Sequence, residues 1–106
     1  MAEVKLMALY PHPTDTAQFD ADYRDHLKLL HQKANIPEDV RPYTVTRFLP
    51  TPDGPAPFYQ LFTMPFPSAE ALQQAMGSPG MQEVAADAVK ISTGGAPVIL
   101  IGSEAA

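Results

Sequence analysis

Residues 4–10 read Val4-Lys5-Leu6-Met7-Ala8-Leu9-Tyr10 and are followed closely by Pro11 and Pro13. This short apolar run predicts a β-strand that ends where proline can no longer donate a sheet hydrogen bond. Side chains alternate across a strand, so the predicted strand is apolar on both faces. A sheet that contains it must therefore be covered on both sides.

The rest of the chain supplies further strands and helices around this first one. A helix is predicted from Thr16 to about Ala34, with Asp15 as its N-cap and Gln18 completing a capping box. Strands are predicted at 41–49, 58–66 and 98–101, with a proline-rich loop at 50–57 and helical segments at about 69–76 and 79–89. The last strand has no polar position, so we expect it deep in the sheet.

This order, β-α-β-β-α-β, is the split βαβ arrangement of ferredoxin-like α+β folds, with a four-stranded antiparallel sheet and the helices on one face. The other face still carries apolar side chains, and an exposed apolar sheet invites aggregation. Two copies packed sheet to sheet would bury that face and enclose an interior. We therefore predict a homodimer, a dimeric α+β barrel, in which residues 1–106 of each chain form a single domain.

The composition argues against several classes of function. The chain has 106 residues, of which 12 are acidic and 7 basic, giving a formal net charge of −5. Because the basic residues are scattered, they form no stripe that follows phosphates, and we expect binding neither to nucleic acid nor to a membrane. There is no apolar run of membrane-spanning length and no visible export signal, so the default location is cytoplasmic.

The chain contains no cysteine, which excludes disulfides, thiolate nucleophiles and cysteine-ligated zinc or iron–sulfur clusters. His26 and His31 lie about 140° apart on the predicted helix, so a shared metal ion is not expected. Motifs for NAD, flavin or phosphate binding and a serine nucleophile elbow are also missing from the sequence. We therefore expect no metal and no cofactor.

Several stretches resemble the EthD family, named from ethyl tert-butyl ether degradation and part of the dimeric α+β barrel superfamily. The resemblance rests on residues 4–10, Phe19-Asp20-Ala21-Asp22-Tyr23-Arg24-Asp25-His26-Leu27, Tyr43-Thr44-Val45-Thr46-Arg47, Phe66-Pro67-Ser68-Ala69-Glu70-Ala71-Leu72 and Ala86-Asp87. The chain departs from the family at Leu27-Lys28-Leu29, where X-Pro-Leu is common, and at Pro67, where aspartate is usual. The resemblance implies the fold and the dimer. It leaves the reaction open, because the superfamily includes isomerases, cofactor-free monooxygenases, polyketide cyclases, haem enzymes and members with no assigned reaction.

His26 is the leading catalytic candidate, because it falls within the apolar stripe of the first helix and a desolvated imidazole suits acid–base chemistry. The alternative is a core histidine bonded to a backbone carbonyl or water. Tyr23, one turn earlier, is either a proton donor or a plain core residue. Asp87 either steadies the imidazole or is a solvated carboxylate on its helix.

Four residues are candidate substrate contacts: Arg47, Tyr43, Tyr59 and Phe62. Arg47 would hold a carboxylate or an enolate if its strand face, shared with Tyr43, lines the barrel. If that face points outward, Arg47 is an ordinary charge on an edge strand, and the strand parity is open. Tyr59 and Phe62 either wall an aromatic pocket or pack the core.

The leading hypothesis is an EthD-like enzyme that acts on an aromatic, lactone or polyketide-like small molecule in the barrel interior. His26 would serve as acid or base in an isomerisation, a dehydration or a cofactor-free oxidation. The alternative is a non-catalytic protein that binds a small hydrophobic ligand or assists an oxidative degradation pathway. A third possibility is a purely structural dimer whose interior is filled by its own side chains.

Overall fold

In the computed structural model, which describes residues 3–104, seven elements follow one another along the chain. They are β1 (Val4–Tyr10), α1 (Thr16–Lys33), β2 (Thr44–Arg47), β3 (Gln60–Phe66), α2 (Ala69–Met76), α3 (Pro79–Ile91) and β4 (Val98–Ser103). The strands form one antiparallel sheet in the order β2-β3-β1-β4. This is the predicted ferredoxin-like α+β fold, with the helices on one face.

Side-chain caps explain where the helices begin. Asp15 accepts a hydrogen bond from the Gln18 amide at 3.0 Å, as predicted for α1. The Gln18 side chain donates to Asp22 at 2.8 Å, so the predicted capping box is only half formed. Ser68 and Ser78 cap α2 and α3 in the same way. The N-caps thus fix the start of all three helices.

Two strand predictions need correction. β2 covers only Thr44–Arg47, shorter than the predicted 41–49, because Pro42 cannot donate to a ladder and the residues before it form a loop. β4 was expected deep in the sheet, but it is an edge strand that pairs with β1 alone. Its apolar side chains are exposed on the isolated subunit. The exposed fraction is 40% for Val98, 52% for Ile99, 45% for Leu100 and 59% for Ile101.

The core lies between the sheet and the helices α1 and α3. Alternate residues of β1 and β3 turn toward the helices, and Tyr10 pairs there with Gln60 while Ala8 pairs with Phe62. These four side chains are buried. The helices contribute the buried residues Phe19, Tyr23, Leu30, Met81, Val84, Ala88 and Ile91.

The opposite face of the sheet is apolar and, within residues 3–104, no helix packs on it. Met7 pairs with Leu100 and with Thr63, and Leu9 pairs with Val98 and with Leu61, so these side chains share that face. We call this surface, formed by Met7, Leu9, Leu61, Val98 and Leu100, the open sheet face. As predicted, the sheet of the subunit has more apolar surface than the helices cover. Among the helices described, none is long and apolar enough to cross a membrane.

Candidate functional site

His26 and Asp87 form a hydrogen-bonded pair between two helices. The Nδ1 atom of His26, on α1, lies 2.8 Å from Oδ2 of Asp87, on α3. The imidazole is buried, whereas the Asp87 side chain is 26% exposed. Because a carboxylate only accepts hydrogen bonds, Nδ1 carries a proton and donates it, which leaves a lone pair on Nε2 when the ring is neutral. The structure therefore brings together an imidazole with a free ring nitrogen and the carboxylate that accepts its Nδ1 proton.

Tyr23 and Tyr10 lie beside this pair inside the subunit. The Tyr23 ring is 5.5 Å from the His26 ring and stacks on Phe19 at 5.6 Å, while Tyr10 meets Tyr23 edge on. Burial raises the pKa of Tyr10 to about 12 and raises the pKa of Tyr23 well above its ordinary value. Both hydroxyls therefore stay protonated at neutral pH and are able to donate hydrogen bonds.

The two tyrosines predict a loss of stability at alkaline pH. Their pKa values are higher in the folded protein than the ordinary 10.0, so the unfolded chain releases these protons first. Their contribution is complete below pH 10 and falls as the pH rises toward 12, by about 1.4 kcal/mol per pH unit for each tyrosine. Urea unfolding at a series of alkaline pH values measures this slope. Tyr10→Phe should make the slope shallower, and an unchanged slope would contradict the assignment.

Two polar atoms near these rings are buried without a hydrogen-bond partner among the residues described. They are the Tyr23 hydroxyl and Nε2 of Gln60. Arg47 donates to Oε1 of Gln60 at 2.9 Å, and because a guanidinium only donates, this bond fixes which end of the amide is Nε2. An unpaired buried polar group costs about 1–3 kcal/mol. Hydrogen-bonding groups of Tyr10 and Gln60 also influence the pKa of Tyr23, so the two unpaired atoms lie close to each other.

Arg47 itself is held in a cluster with Asp20, Tyr59 and Gln60. Its guanidinium donates to Asp20 at 3.0 Å and lies over the Tyr59 ring, 4.1 Å from the ring centre. The Tyr59 hydroxyl donates to the same carboxylate at 3.1 Å. This cluster fastens β2 to α1, so the Arg47 charge is already paired. Arg47 is neither an unpaired anion-binding group nor a free edge charge.

The candidate residues lie between the sheet and the helices of one subunit, whereas the sequence predicts a site in an interior enclosed by two sheets. The register pairs Val45 with Phe62 and Arg47 with Gln60, so this side of β2 and β3 faces the helices. Tyr43 contacts Phe62 on the same side, with the ring centres 5.5 Å apart. His26 also lies under the helices, because its partner belongs to α3. All these candidates therefore lie within one subunit, on the far side of its sheet from the open sheet face.

His31 is not among the candidate residues predicted from the sequence. His31 is buried because the chain after α1 folds over it. Its Nδ1 donates to the Pro37 carbonyl at 3.1 Å, and its Nε2 accepts from the Tyr43 hydroxyl at 2.6 Å. The break at Asn35, which has a positive φ of 57°, lets the chain reverse there. The signal available in the sequence was this Asn-Ile-Pro break, which begins four residues after His31.

Two surface cavities flank α1. The smaller, about 290 Å³, lies between α1 and α3 and is lined in part by Asp87. The larger, about 820 Å³, lies between α1 and the segment before β2 and is lined in part by Tyr43. In the part of the chain that the structure describes, no three histidine or acidic side chains are grouped so as to hold a metal ion.

Comparison with known proteins places the chain among its relatives. The model of the EthD domain matches residues 11–94. The crystal structure of an EthD family protein from Bacillus halodurans C-125 has 34% identity and a TM-score of 0.81, over 99% of this chain and 100% of that one. No curated protein is similar enough to count as a match.

Two more distant structures share the fold alone. One is a dimeric ferredoxin-like protein of unknown function from Jannaschia sp. CCS1, with 12% identity and a TM-score of 0.68 over 96% of this chain and 98% of that one. The other is SnoaB, a cofactor-independent oxygenase from Streptomyces nogalater, with 18% identity and a TM-score of 0.57 over 100% and 94%. Since the domain match spans most of the sequence, from Pro11 to Gly94, the chain belongs to the EthD domain family.

Proposed function

We propose that this protein is a small-molecule enzyme in which His26 takes a proton from a hydrophobic, aromatic or lactone-type substrate and returns it. The observation that carries this proposal is the partly buried hydrogen bond between His26 and Asp87. Asp87 holds the imidazole in the tautomer whose Nε2 accepts a proton, and its charge stabilises the imidazolium that then forms. Isomerisation, dehydration and cofactor-free oxidation are all compatible with such a proton transfer.

The same region supplies groups that would hold a substrate carbonyl. The Tyr23 hydroxyl and Nε2 of Gln60 are buried donors without partners among residues 3–104. When a proton leaves the carbon next to a carbonyl, negative charge develops on the carbonyl oxygen, and donors directed at that oxygen stabilise it. The rings of Phe19 and Tyr10 border Tyr23 and make its surroundings apolar. The cavity between α1 and α3 gives solvent access to Asp87.

The fold comparison supports chemistry without a cofactor. SnoaB has the same fold and is a cofactor-independent oxygenase. Chemistry without a cofactor requires acid and base groups on the protein. In the present chain the pair of His26 and Asp87 supplies such groups. The class of reaction we favour therefore begins with removal of a proton from carbon.

We also propose that two copies associate through their open sheet faces. Leu100 and Val98 are 45% and 40% exposed there, and a second copy would bury them. The Jannaschia protein with this fold is described as dimeric. Because His26 lies on the other side of the sheet, each subunit of the dimer would contain its own complete site.

Exchange of a carbon-bound proton tests the proposed activity. The probe is 2-tetralone, an aromatic ketone whose C1 hydrogens are acidic, and proton NMR in D2O follows their replacement by deuterium. We expect the wild type to accelerate exchange, and His26→Asn to lose roughly 10²-fold or more of that acceleration. His12→Asn, which removes an exposed histidine on another segment, is the matched control and should leave the rate unchanged.

Two outcomes would contradict the proposal. One is exchange by His26→Asn that is as fast as exchange by the wild type. The other is binding of 2-tetralone, seen as shifted protein resonances, with no exchange above buffer. This second result would instead support the non-catalytic binding protein.

A further inference from the structure

The larger cavity beside α1 has a composition unlike the rest of the surface. We call it the α1–β2 groove and define it by three cations, Arg24, Lys28 and Arg41, above a floor formed by Leu27, Ile36 and Tyr43. Its volume of about 820 Å³ lies within the usual range for small-molecule sites. We propose that this groove binds a small organic anion, a carboxylate on an aromatic or aliphatic body, at a site separate from the His26 pair.

Charge is the first argument. The chain has a net charge of −5 and only 7 basic residues, yet three of them line this one groove. Elsewhere Arg47 is bonded to Asp20, and Lys33 lies 2.9 Å from Glu83. In the groove, Lys28 is 3.9 Å from Asp25 with both side chains more than 80% exposed, a pairing that contributes little. The groove thus concentrates positive charge that a bound anion would neutralise.

The remaining cations of the groove are also available to a ligand. Within residues 3–104, neither Arg24 nor Arg41 forms a salt bridge. Arg41 donates to the backbone carbonyl of Glu38 at 2.8 Å, which steadies its guanidinium without neutralising it. A guanidinium held in this way presents its other N–H groups to a carboxylate. Glu38 contributes the single carboxylate of the lining, so its charge opposes an anion.

The floor of the groove is rigid. Tyr43 donates its hydroxyl proton to Nε2 of the buried His31, and its ring packs on Phe62 in the core. His31 in turn donates to the Pro37 carbonyl, which holds the wall of the groove in place. A preformed apolar floor reduces the entropy lost on binding. It also selects an anion with an apolar body over inorganic phosphate.

The groove is independent of the proposed catalytic pair. His26 lies on the flank of α1 that is turned toward α3, and there it forms a hydrogen bond with Asp87. Arg24 and Lys28 lie on the other flank, beside the segment that leads into β2. A ligand in the groove therefore touches neither member of the pair, and the inference stands or falls separately from the proposed function.

Paired probes test this inference on the full chain. They are 2-naphthoate and 2-naphthalenemethanol, which share an apolar body and differ in charge, and isothermal titration calorimetry measures both affinities. We expect 2-naphthoate to bind about tenfold more tightly than the alcohol, with a difference that shrinks as salt is added. Lys28→Gln and Arg41→Gln should each weaken naphthoate binding about fivefold and leave binding of the alcohol unchanged.

Three controls make the result specific to the groove. Lys90→Gln removes the same charge from α3 and should have no effect on naphthoate binding. Glu38→Gln should strengthen it, because it removes the opposing carboxylate. His26→Asn should leave it unchanged, and a loss of binding in that variant would place the ligand at the catalytic pair. Equal affinity for the two probes, or equal weakening by Lys90→Gln, would also overturn the inference.

Discussion

Leu100→Glu is expected to convert the protein from a dimer to a monomer. Leu100 lies on the open sheet face next to Met7 and is 45% exposed in the subunit. In a symmetric dimer the substitution places two carboxylates in the interface. A buried, unpaired charge costs several kcal/mol, so the dissociation constant should rise on the order of 10³-fold.

Sedimentation velocity over a range of concentrations measures this change. Leu49→Glu introduces the same charge at a leucine that is 75% exposed and lies beyond the end of β2, so it should remain dimeric. Circular dichroism checks that both variants are folded. A wild type that sediments as a monomer, or a Leu100→Glu variant that dimerises as tightly as the wild type, would contradict the proposed interface. Neither result would contradict the proposed role of His26, because His26 lies within the subunit.

Phe19→Ala should cause the largest loss of stability of any single truncation in the α1 core. Phe19 is 1% exposed, and its ring contacts the rings of Tyr10, Tyr23 and Tyr59 within 5.6 Å. Removing a buried phenyl ring loses its transfer free energy and leaves a cavity, which together cost about 3–5 kcal/mol. The measurement is the free energy of unfolding in urea.

The matched control for Phe19→Ala is Val89→Ala on α3. Val89 is 55% exposed, so its truncation should change the free energy of unfolding by less than about 0.5 kcal/mol. If Phe19→Ala lowers the free energy of unfolding by no more than Val89→Ala does, the aromatic cluster around Tyr23 does not stabilise the fold.

Much of the fold could be predicted from local sequence signals. Asp15, Ser68 and Ser78 cap the three helices where their side chains predict, because N-capping depends on neighbouring backbone amides. The position of β4 could not be predicted in the same way. A strand with no polar residue is typical of the centre of a sheet. An edge strand has the same apolar composition when a second surface covers it.

The candidate site was only partly predictable. The helical spacing places His26 toward the interior and Asp87 is one of its predicted partners, and the structure joins the two by a hydrogen bond across 61 positions of sequence. The sequence could not show which face of the sheet Arg47 lies on, because Arg47 bonds to Asp20 only once β2 and α1 are packed together. Gln60 was missed for the same reason, since a glutamine in a strand gives no sign that its neighbours will bury it.

Nitrogen NMR of the imidazole rings tests the central claim most directly, because it reports which nitrogen of His26 carries the proton and needs no substrate. We expect neutral His26 to be protonated at Nδ1, with a bare Nε2. Asp87→Ala should remove this preference, because the carboxylate that accepts the Nδ1 proton is lost. Neutral His26 protonated at Nε2, or a ring unaffected by Asp87→Ala, would contradict the account.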